Sequence, residues 1–276
     1  PSNLKRAFEN YKITWTTGVN TLFNALLNER WFSDSPPKHL KASAAGGMAL
    51  HESVAKRWRE MTGTPIVEGY GLTESSPVLS FNPLGGMFKD NSIGIPVPST
   101  EMACVDEKGT EVPVGEPGEL IAKGPQIMQG YWQRPDETKA TIKDGWLYTG
   151  DIAQMDSDGY FTIVDRKKDM VLVSGFNVYP NDVEEAIAAV PGVLEVGVIG
   201  VPDEKSGEAV RAFVVASAPA PSVETIVAHC RETLSAYKVP SSIVFVDELP
   251  KSPIGKILRR ELRDQVMSAS TSTKGA

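Results

Sequence analysis

The sequence predicts an α/β protein of mixed α+β content, in which two stretches of alternating helix and strand flank a central antiparallel β region. Three observations lead there. Apolar residues recur with a helical period at both ends of the chain. Between 83 and 164 that period gives way to short strand candidates set between Gly, Pro and Asp turns. After 169 the alternation of helix and strand returns.

In the first stretch, residues 20–30 place Leu22, Phe23, Leu26 and Leu27 on one helical face. Residues 40–45 read as a short strand, 50–61 as a helix with Val54, Ala55 and Trp58 inward, and 65–67 as a strand entering a Gly-Tyr-Gly bend. In the middle, strands are expected at 101–105 and 118–123, with hairpin turns at 106–109 and 156–159. In the last stretch, 181–190 reads as a helix with Asn181 as N-cap and Glu184 completing a capping box. Strands are expected at 194–201, 210–216 and 243–246. A helix at 225–237 carries Ile226, Cys230, Leu234 and Tyr237 along one side. The expected division is an α/β region at 1–82, an antiparallel β-subdomain at 83–167, a small α/β domain at 168–267 and a disordered polar tail at 268–276.

Composition narrows the function. With 41% hydrophobic and 23% charged residues over 276 positions, the chain is globular and long enough for two cores. A net charge of −7 with dispersed Lys and Arg argues against a nucleic-acid partner; only 251–263 is locally basic. Cys104 and Cys230 stand apart and outside any metal-binding spacing, which points to a reducing, cytoplasmic setting. No apolar run approaches the roughly 18 residues of a membrane helix. The chain opens at Pro1 without Met, so it is expected to be cut or processed.

Several short polar motifs could carry chemistry. In Gly69-Tyr70-Gly71-Leu72-Thr73-Glu74 the glycines could admit a ligand close to the backbone, Tyr70 offers a flat face for a base, Thr73 a hydroxyl for phosphate and Glu74 a hard oxygen for Mg2+. Taken alone, the hexapeptide reads more readily as a strand-end turn. Asp151, after Tyr148-Thr149-Gly150, could accept hydrogen bonds from ribose hydroxyls or simply form a turn. The charge run Asp165-Arg166-Lys167-Lys168-Asp169 is either a solvated surface or a hinge between the β region and the last α/β stretch. Gly175, in Ser174-Gly175-Phe176-Asn177, could let a thin substrate pass or merely bend the chain. Lys256, closing 250–256, would need an anion brought to it to be more than surface charge.

Together these motifs carry a resemblance. GYGLTESSP, GWLYTGD, DRKKDM, SGFNVYP and PKSPIGK occur in that order, and the chain resembles the C-terminal half of an adenylate-forming enzyme, a superfamily of acyl-CoA synthetases, luciferases and peptide-synthetase adenylation domains. It looks most like the bacterial long-chain fatty acid–CoA ligases. Residues 144–168 resemble their fatty-acyl signature, and 18–27 and 131–135 also read like that group. The implied fold is the C-terminal part of a large α/β plus β-barrel-like domain, followed by a small mobile α/β domain.

The resemblance implies that Tyr70 stacks on adenine with Gly46, Gly47 and Gly71 nearby. Thr73 contacts phosphate and Glu74 holds Mg2+. Asp151 binds ribose with help from Arg166. Lys168 is the pivot, Gly175 and Phe176 border a coenzyme A channel, and Lys256 bridges the acyl carboxylate and the α-phosphate. The implied reaction joins a fatty acid to ATP as acyl-AMP and then to CoA. A lipid substrate is compatible with peripheral contact at the inner membrane, and a homodimer is an open expectation. The family's phosphate-binding loop is expected N-terminal to Pro1, so the chain is expected to be a fragment unable to adenylate by itself. Gln126 stands where some long-chain members carry a gating tryptophan, which leaves chain length open. The other readings are a non-catalytic fragment or interaction module and a related adenylation enzyme for another acid. Among the latter, a carrier-loading domain is disfavoured by the short stretch after Lys256, and a luciferase-like oxygenase by the fatty-acyl signature.

Overall fold

The computed structural model describes residues 2–48, 50–252 and 256–272, and their strands form three sheets. The chain divides into two units between Ile163 and Val164.

The first unit opens with α1 (Ser2–Asn10), β1 (Trp15–Gly18), α2 (Asn20–Leu27), α3 (Arg30–Asp34), β2 (Ala42–Ala45), α4 (Glu52–Thr62), β3 (Ile66–Gly71), β4 (Val78–Phe81) and β5 (Ile95–Pro96). The sheet order is β1-β2-β3-β4-β5; β1, β2 and β3 are parallel, and β4 and β5 turn antiparallel. The helices bury Phe23, Leu26, Phe32 and Trp58 in one cluster. The helix expected over 20–30 stops at Leu27, because Glu29 is extended and the chain restarts as α3. That break delivers Phe32 to the same core, where its ring stacks on Trp58 at 5.2 Å.

The remainder of this unit is β6 (Glu101–Val105), β7 (Gly118–Lys123), α5 (Pro135–Thr141), β8 (Ile142–Lys143), β9 (Trp146–Met155) and the first half of β10 (Phe161–Arg166). The order is β10-β9-β7-β6 with β8 on β9, and β6, β7, β9 and β8 pair antiparallel. Both expected turns are Asx turns. Asp106 Oδ1 accepts from Lys108 N and Thr110 N, and Asp156 Oδ1 from Asp158 N and Tyr160 N.

The second unit holds β11 (Val171–Val173), β12 (Phe176–Val178), α6 (Pro180–Ala188), β13 (Val193–Asp203), β14 (Gly207–Ala216), α7 (Val223–Thr233), β15 (Ser242–Phe245) and α8 (Arg259–Ser272). The order is β12-β11-β14-β13, with β15 parallel to β14. Alternate residues of β13 and β14 face opposite layers. Val196, Val198, Val210, Ala212 and Val214 pack with Val183, Ile187, Ile226 and Cys230. Ile199, Val201, Ala209 and Phe213 pack with Leu249 and Leu262. Burial on both faces explains the near-continuous apolar runs of these strands.

Four expectations are revised here. Asn181 is not the N-cap of α6. Tyr179 holds that position, Pro180 starts the helix, and the carboxylate of Asp165 accepts the Asn181 backbone N–H at 2.8 Å. Glu184 closes no capping box; it accepts from Val198 N and pairs with Arg259. Helix α7 starts two residues earlier than expected, because Ser222 Oγ accepts from Thr225 N. Helix α8 continues through residues 268–272, the start of the expected tail. Residues 273–276 of that tail, and 253–255 of the PKSPIGK motif, lie outside the described residues.

Candidate active site

In the first unit the loops leaving β2 and β3 emerge side by side. Ala45 pairs with Glu68, and a Cβ on Gly46 would lie 3.3 Å from the Gly69 carbonyl oxygen. Open α/β sheets receive ligands outside the carboxyl ends of their parallel strands, which is where Gly46, Gly47 and Tyr70 stand. The glycines around Tyr70 have a structural reason. A Cβ at Gly71 would lie 1.7 Å from the Pro77 carbonyl oxygen, and one at Gly69 would lie 2.5 Å from the Phe81 ring. They admit strand β4. Gly47, at φ +80°, is the one with open space around it.

Tyr70 and Asp151 meet. The phenol donates to Asp151 Oδ2 at 2.5 Å. Asp151 is buried on β9, and Thr149 Oγ accepts its backbone N–H at 3.1 Å while donating to Leu120 O at 2.7 Å. The ring predicted for a base and the carboxylate predicted for a sugar are therefore neighbours.

Thr73 and Glu74 lie in a 3-10 turn, Thr73–Ser75, whose buried Ser75 Oγ accepts from Leu72 N. Thr73 is exposed. Glu74 Oε1 accepts from the Tyr131 hydroxyl at 2.7 Å, and Glu74 O accepts from Met128 N. That hydrogen bond to Glu74 raises the Tyr131 phenol above its usual range. Among the described residues no group of three or more His, Cys, Asp or Glu is poised to hold a metal. One carboxylate with a neighbouring hydroxyl fits Mg2+, which takes one or two protein carboxylates and the rest of its shell from phosphates and water.

Glu68, two residues before Tyr70, was not singled out from the sequence. Burial pushes its carboxyl up to about 7, against a hydrogen bond from the Leu50 backbone and with help from Asp90.

In the second unit the predicted residues occupy three segments. Lys168 is exposed in the 3-10 turn Lys167–Asp169, and Arg166 immediately precedes it. Gly175, at φ +86° with nothing near its absent Cβ, turns β11 into β12, and Phe176 stacks on Tyr237 at 4.7 Å with 56% of its surface exposed. Lys256 is joined to Ser252 by two hydrogen bonds. Ser252 N donates to Lys256 O, Lys256 N to Ser252 Oγ, and Lys251 bridges Ile257.

Three residues on, Arg259 is the hub of an ion network. Its guanidinium meets Glu184 Oε2 at 2.7 Å, Asp165 Oδ1 at 3.2 Å and Asp169 Oδ2 at 3.5 Å, and donates to Asn181 Oδ1 at 2.6 Å. Burial raises the Glu184 and Asp165 carboxyls, and the guanidinium opposes that shift in both. Its only signal in the sequence is membership of the basic stretch 251–263.

An AMP-binding enzyme family model matches residues 1–132, and an AMP-binding enzyme C-terminal domain model matches residues 182–256. The chain belongs to the AMP-binding enzymes. The chain is similar to the long-chain-fatty-acid–CoA ligase of Escherichia coli O6:H1, at 56% identity over 95% of the chain and 47% of the relative. The ligase of the same name from Bacillus subtilis is 42% identical over 96% and 48%. The chain spans about half the length of the curated relatives it matches. Among solved structures, ATP-bound MatB from Rhodopseudomonas palustris is 33% identical with a TM-score of 0.90, over 96% of this chain and 53% of that one. The anthranilate CoA ligase AuaEII with anthranoyl-AMP is 33% identical with a TM-score of 0.86, over 98% and 53%. Among the described residues, no helix is long and apolar enough to cross a membrane.

Proposed function

We propose that this chain supplies part of an AMP-forming ligase that activates a long-chain fatty acid with ATP and transfers it to coenzyme A. The observation that carries the reading is the Tyr70–Asp151 pair at the carboxyl ends of β2 and β3. It sets an aromatic ring beside a buried carboxylate, in a chain more than half identical to fatty acid–CoA ligases.

In this reading the Tyr70 ring takes the adenine, with the Gly46-Gly47 loop lining its other side and Gly71 letting β3 and the chain at Pro77 approach closely. Asp151 accepts the ribose hydroxyls, assisted by Arg166. Thr73 Oγ donates to a phosphate oxygen, and Glu74 holds Mg2+, whose chemistry is to neutralise phosphate charge. Lys256 bridges the acyl carboxylate and the α-phosphate. The carboxylate oxygen bonds to the α-phosphorus as the bond to pyrophosphate breaks. The polypeptide then turns at Lys168, and Gly175 and Phe176 border the path of the CoA thiol. Its sulfur bonds to the acyl carbon, AMP departs, and the thiol proton is released. A carboxylate attacking a polyanion meets charge repulsion, so removing one preorganised cation is expected to raise the barrier by about 3–4 kcal/mol. A cytoplasmic location, peripheral contact with the inner membrane and a homodimer belong to the same proposal, the membrane contact because the substrate is a lipid.

The test uses the complete polypeptide with ATP, Mg2+, palmitate and CoA. Lys256→Ala is expected to lose acyl-adenylate formation and keep thioester formation from supplied palmitoyl-AMP. Equal loss of both steps removes Lys256 from this role. A wild type that activates only short or aromatic acids overturns the substrate class.

A further inference from the structure

Asp165 and Asp169 lie on either side of Lys168, and both grip the same guanidinium. Asp165 is 1% exposed, Asp169 9% and Arg259 14%. The grip is reinforced from each side. Asp165 also accepts the Arg166 and Asn181 backbone N–H groups, Asn181 Nδ2 donates to Val164 O, and Arg263 meets Asp169 at 2.5 Å. On the other side of the same guanidinium, the chain runs back through Leu258, whose N–H donates to Pro250 O, to Lys256. That segment lies against β13, where a Cβ at Gly197 would come within 3.0 Å of Leu262 and 3.3 Å of Ile257. A turn of the backbone at Lys168 moves Asp165 relative to Asp169, so one guanidinium hydrogen-bonded to Asp165 at 3.2 Å and ion-paired with Asp169 at 3.5 Å is compatible with one setting of that backbone.

We propose that Arg259 is a positioning residue that clamps the Lys256-bearing segment across both flanks of Lys168, fixing the reach of Lys256 in a single setting of the pivot. The proposal rests on the roles given above to Lys256 and Lys168. A group that merely docks α8 would affect both half-reactions alike. A clamp on Lys256 affects the step that uses Lys256.

The experiment compares wild type and Arg259→Lys in the complete polypeptide, because lysine keeps the charge and loses the planar fork. Acyl-adenylate formation from ATP and palmitate is expected to fall about 10- to 100-fold, the effect of a misplacement near 1 Å. Thioester formation from supplied palmitoyl-AMP should stay within about threefold of wild type, as expected of a step that does not use the displaced group. In hydrogen exchange, the amides of 256–258 and 166–169 should exchange faster while 196–214 stay protected. Equal loss in both steps, or no loss in either, overturns the clamp. If Arg259→Lys does not fold, Asp165→Asn is read in its place with the same expectations. A wild type that performs neither step overturns the functional reading itself, and the clamp with it; that result is separate from a wild type that performs both.

Discussion

Tyr70 Oη and Asp151 Oδ2 are joined by a hydrogen bond of 2.5 Å across 81 residues of sequence, linking the end of β3 to the middle of β9. The phenol takes one lone pair of a carboxylate that has about four acceptor sites. The expected outcome is that Asp151→Asn weakens AMP binding by about 1.5–3 kcal/mol, the range for hydrogen bonds to a charged group. Tyr70→Phe keeps the ring and should bind within about threefold of wild type, while Tyr70→Ala loses the stacking face and about 1–3 kcal/mol. Calorimetric titration with AMP measures all three. If Tyr70→Phe were as weak as Tyr70→Ala, the hydroxyl and not the ring would be the ligand contact.

Gly71 and Gly47 are glycines for different reasons, and alanine separates them. Gly71 has the Pro77 carbonyl oxygen where its Cβ would be, so Gly71→Ala forces β3 from β4. A loss of about 1–3 kcal/mol is expected from such overpacking, with shifts at Tyr70. Gly47 has open space but φ +80°, so Gly47→Ala should cost about 1–2 kcal/mol of backbone strain and leave Tyr70 in place. Urea unfolding with tyrosine resonances as the local reporter distinguishes them. Similar shifts at Tyr70 in both variants would contradict the steric assignment.

Much of the fold was legible because the period of apolar residues is local. Strands Glu101–Val105 and Gly118–Lys123 fall on the expected residues. The Asp-led turns at 106–109 and 156–159 follow from side-chain chemistry within four residues. What was not legible depends on partners far along the chain. Asn181 looked like a cap because nothing nearby announces that Asp165 supplies one. Tyr131 reaches Glu74 from 57 residues away. Arg259 finds Asp165 at a separation of 94 and Glu184 at 75. In the candidate site, the motifs named the residue types, and the pairing of Tyr70 with Asp151 came only from the folded chain, which brings β3 of one sheet to β9 of another.

The Tyr131 hydroxyl on Glu74 makes a prediction about metal dependence. Glu74→Gln removes the only negative charge of that side chain, and the Mg2+ concentration for half-maximal adenylation in the complete polypeptide should rise at least about tenfold, or 1.4 kcal/mol. Tyr131→Phe keeps the carboxylate but removes the donor that orients it, and a rise of a few-fold is expected, in the range of one hydrogen bond at about 1 kcal/mol. Titration of Mg2+ at saturating ATP reads both. An unchanged requirement in Glu74→Gln would take the metal away from this residue.

Glu68 gives the first unit a pH dependence whose sign is fixed by burial. Its carboxyl is raised from 4.5 to about 7, first by burial, then by the charge of Asp90, and against the Leu50 backbone hydrogen bond. The folded state therefore holds this proton more tightly than the unfolded chain does. Between about pH 4.5 and 7 it binds more protons, so stability is full below that window and is lost as pH rises through it. The loss from this one group is at most roughly 3 kcal/mol, at about 1.4 kcal/mol for each unit. Asp90 is itself paired with Arg59 at 2.8 Å. Glu68→Gln should leave stability at pH 4.5 nearly unchanged, raise it at pH 8 by about 2–3 kcal/mol, and flatten the slope between. Urea unfolding of the chain at pH 4.5, 6 and 8 checks this, and a slope that survives the substitution would assign it to another group.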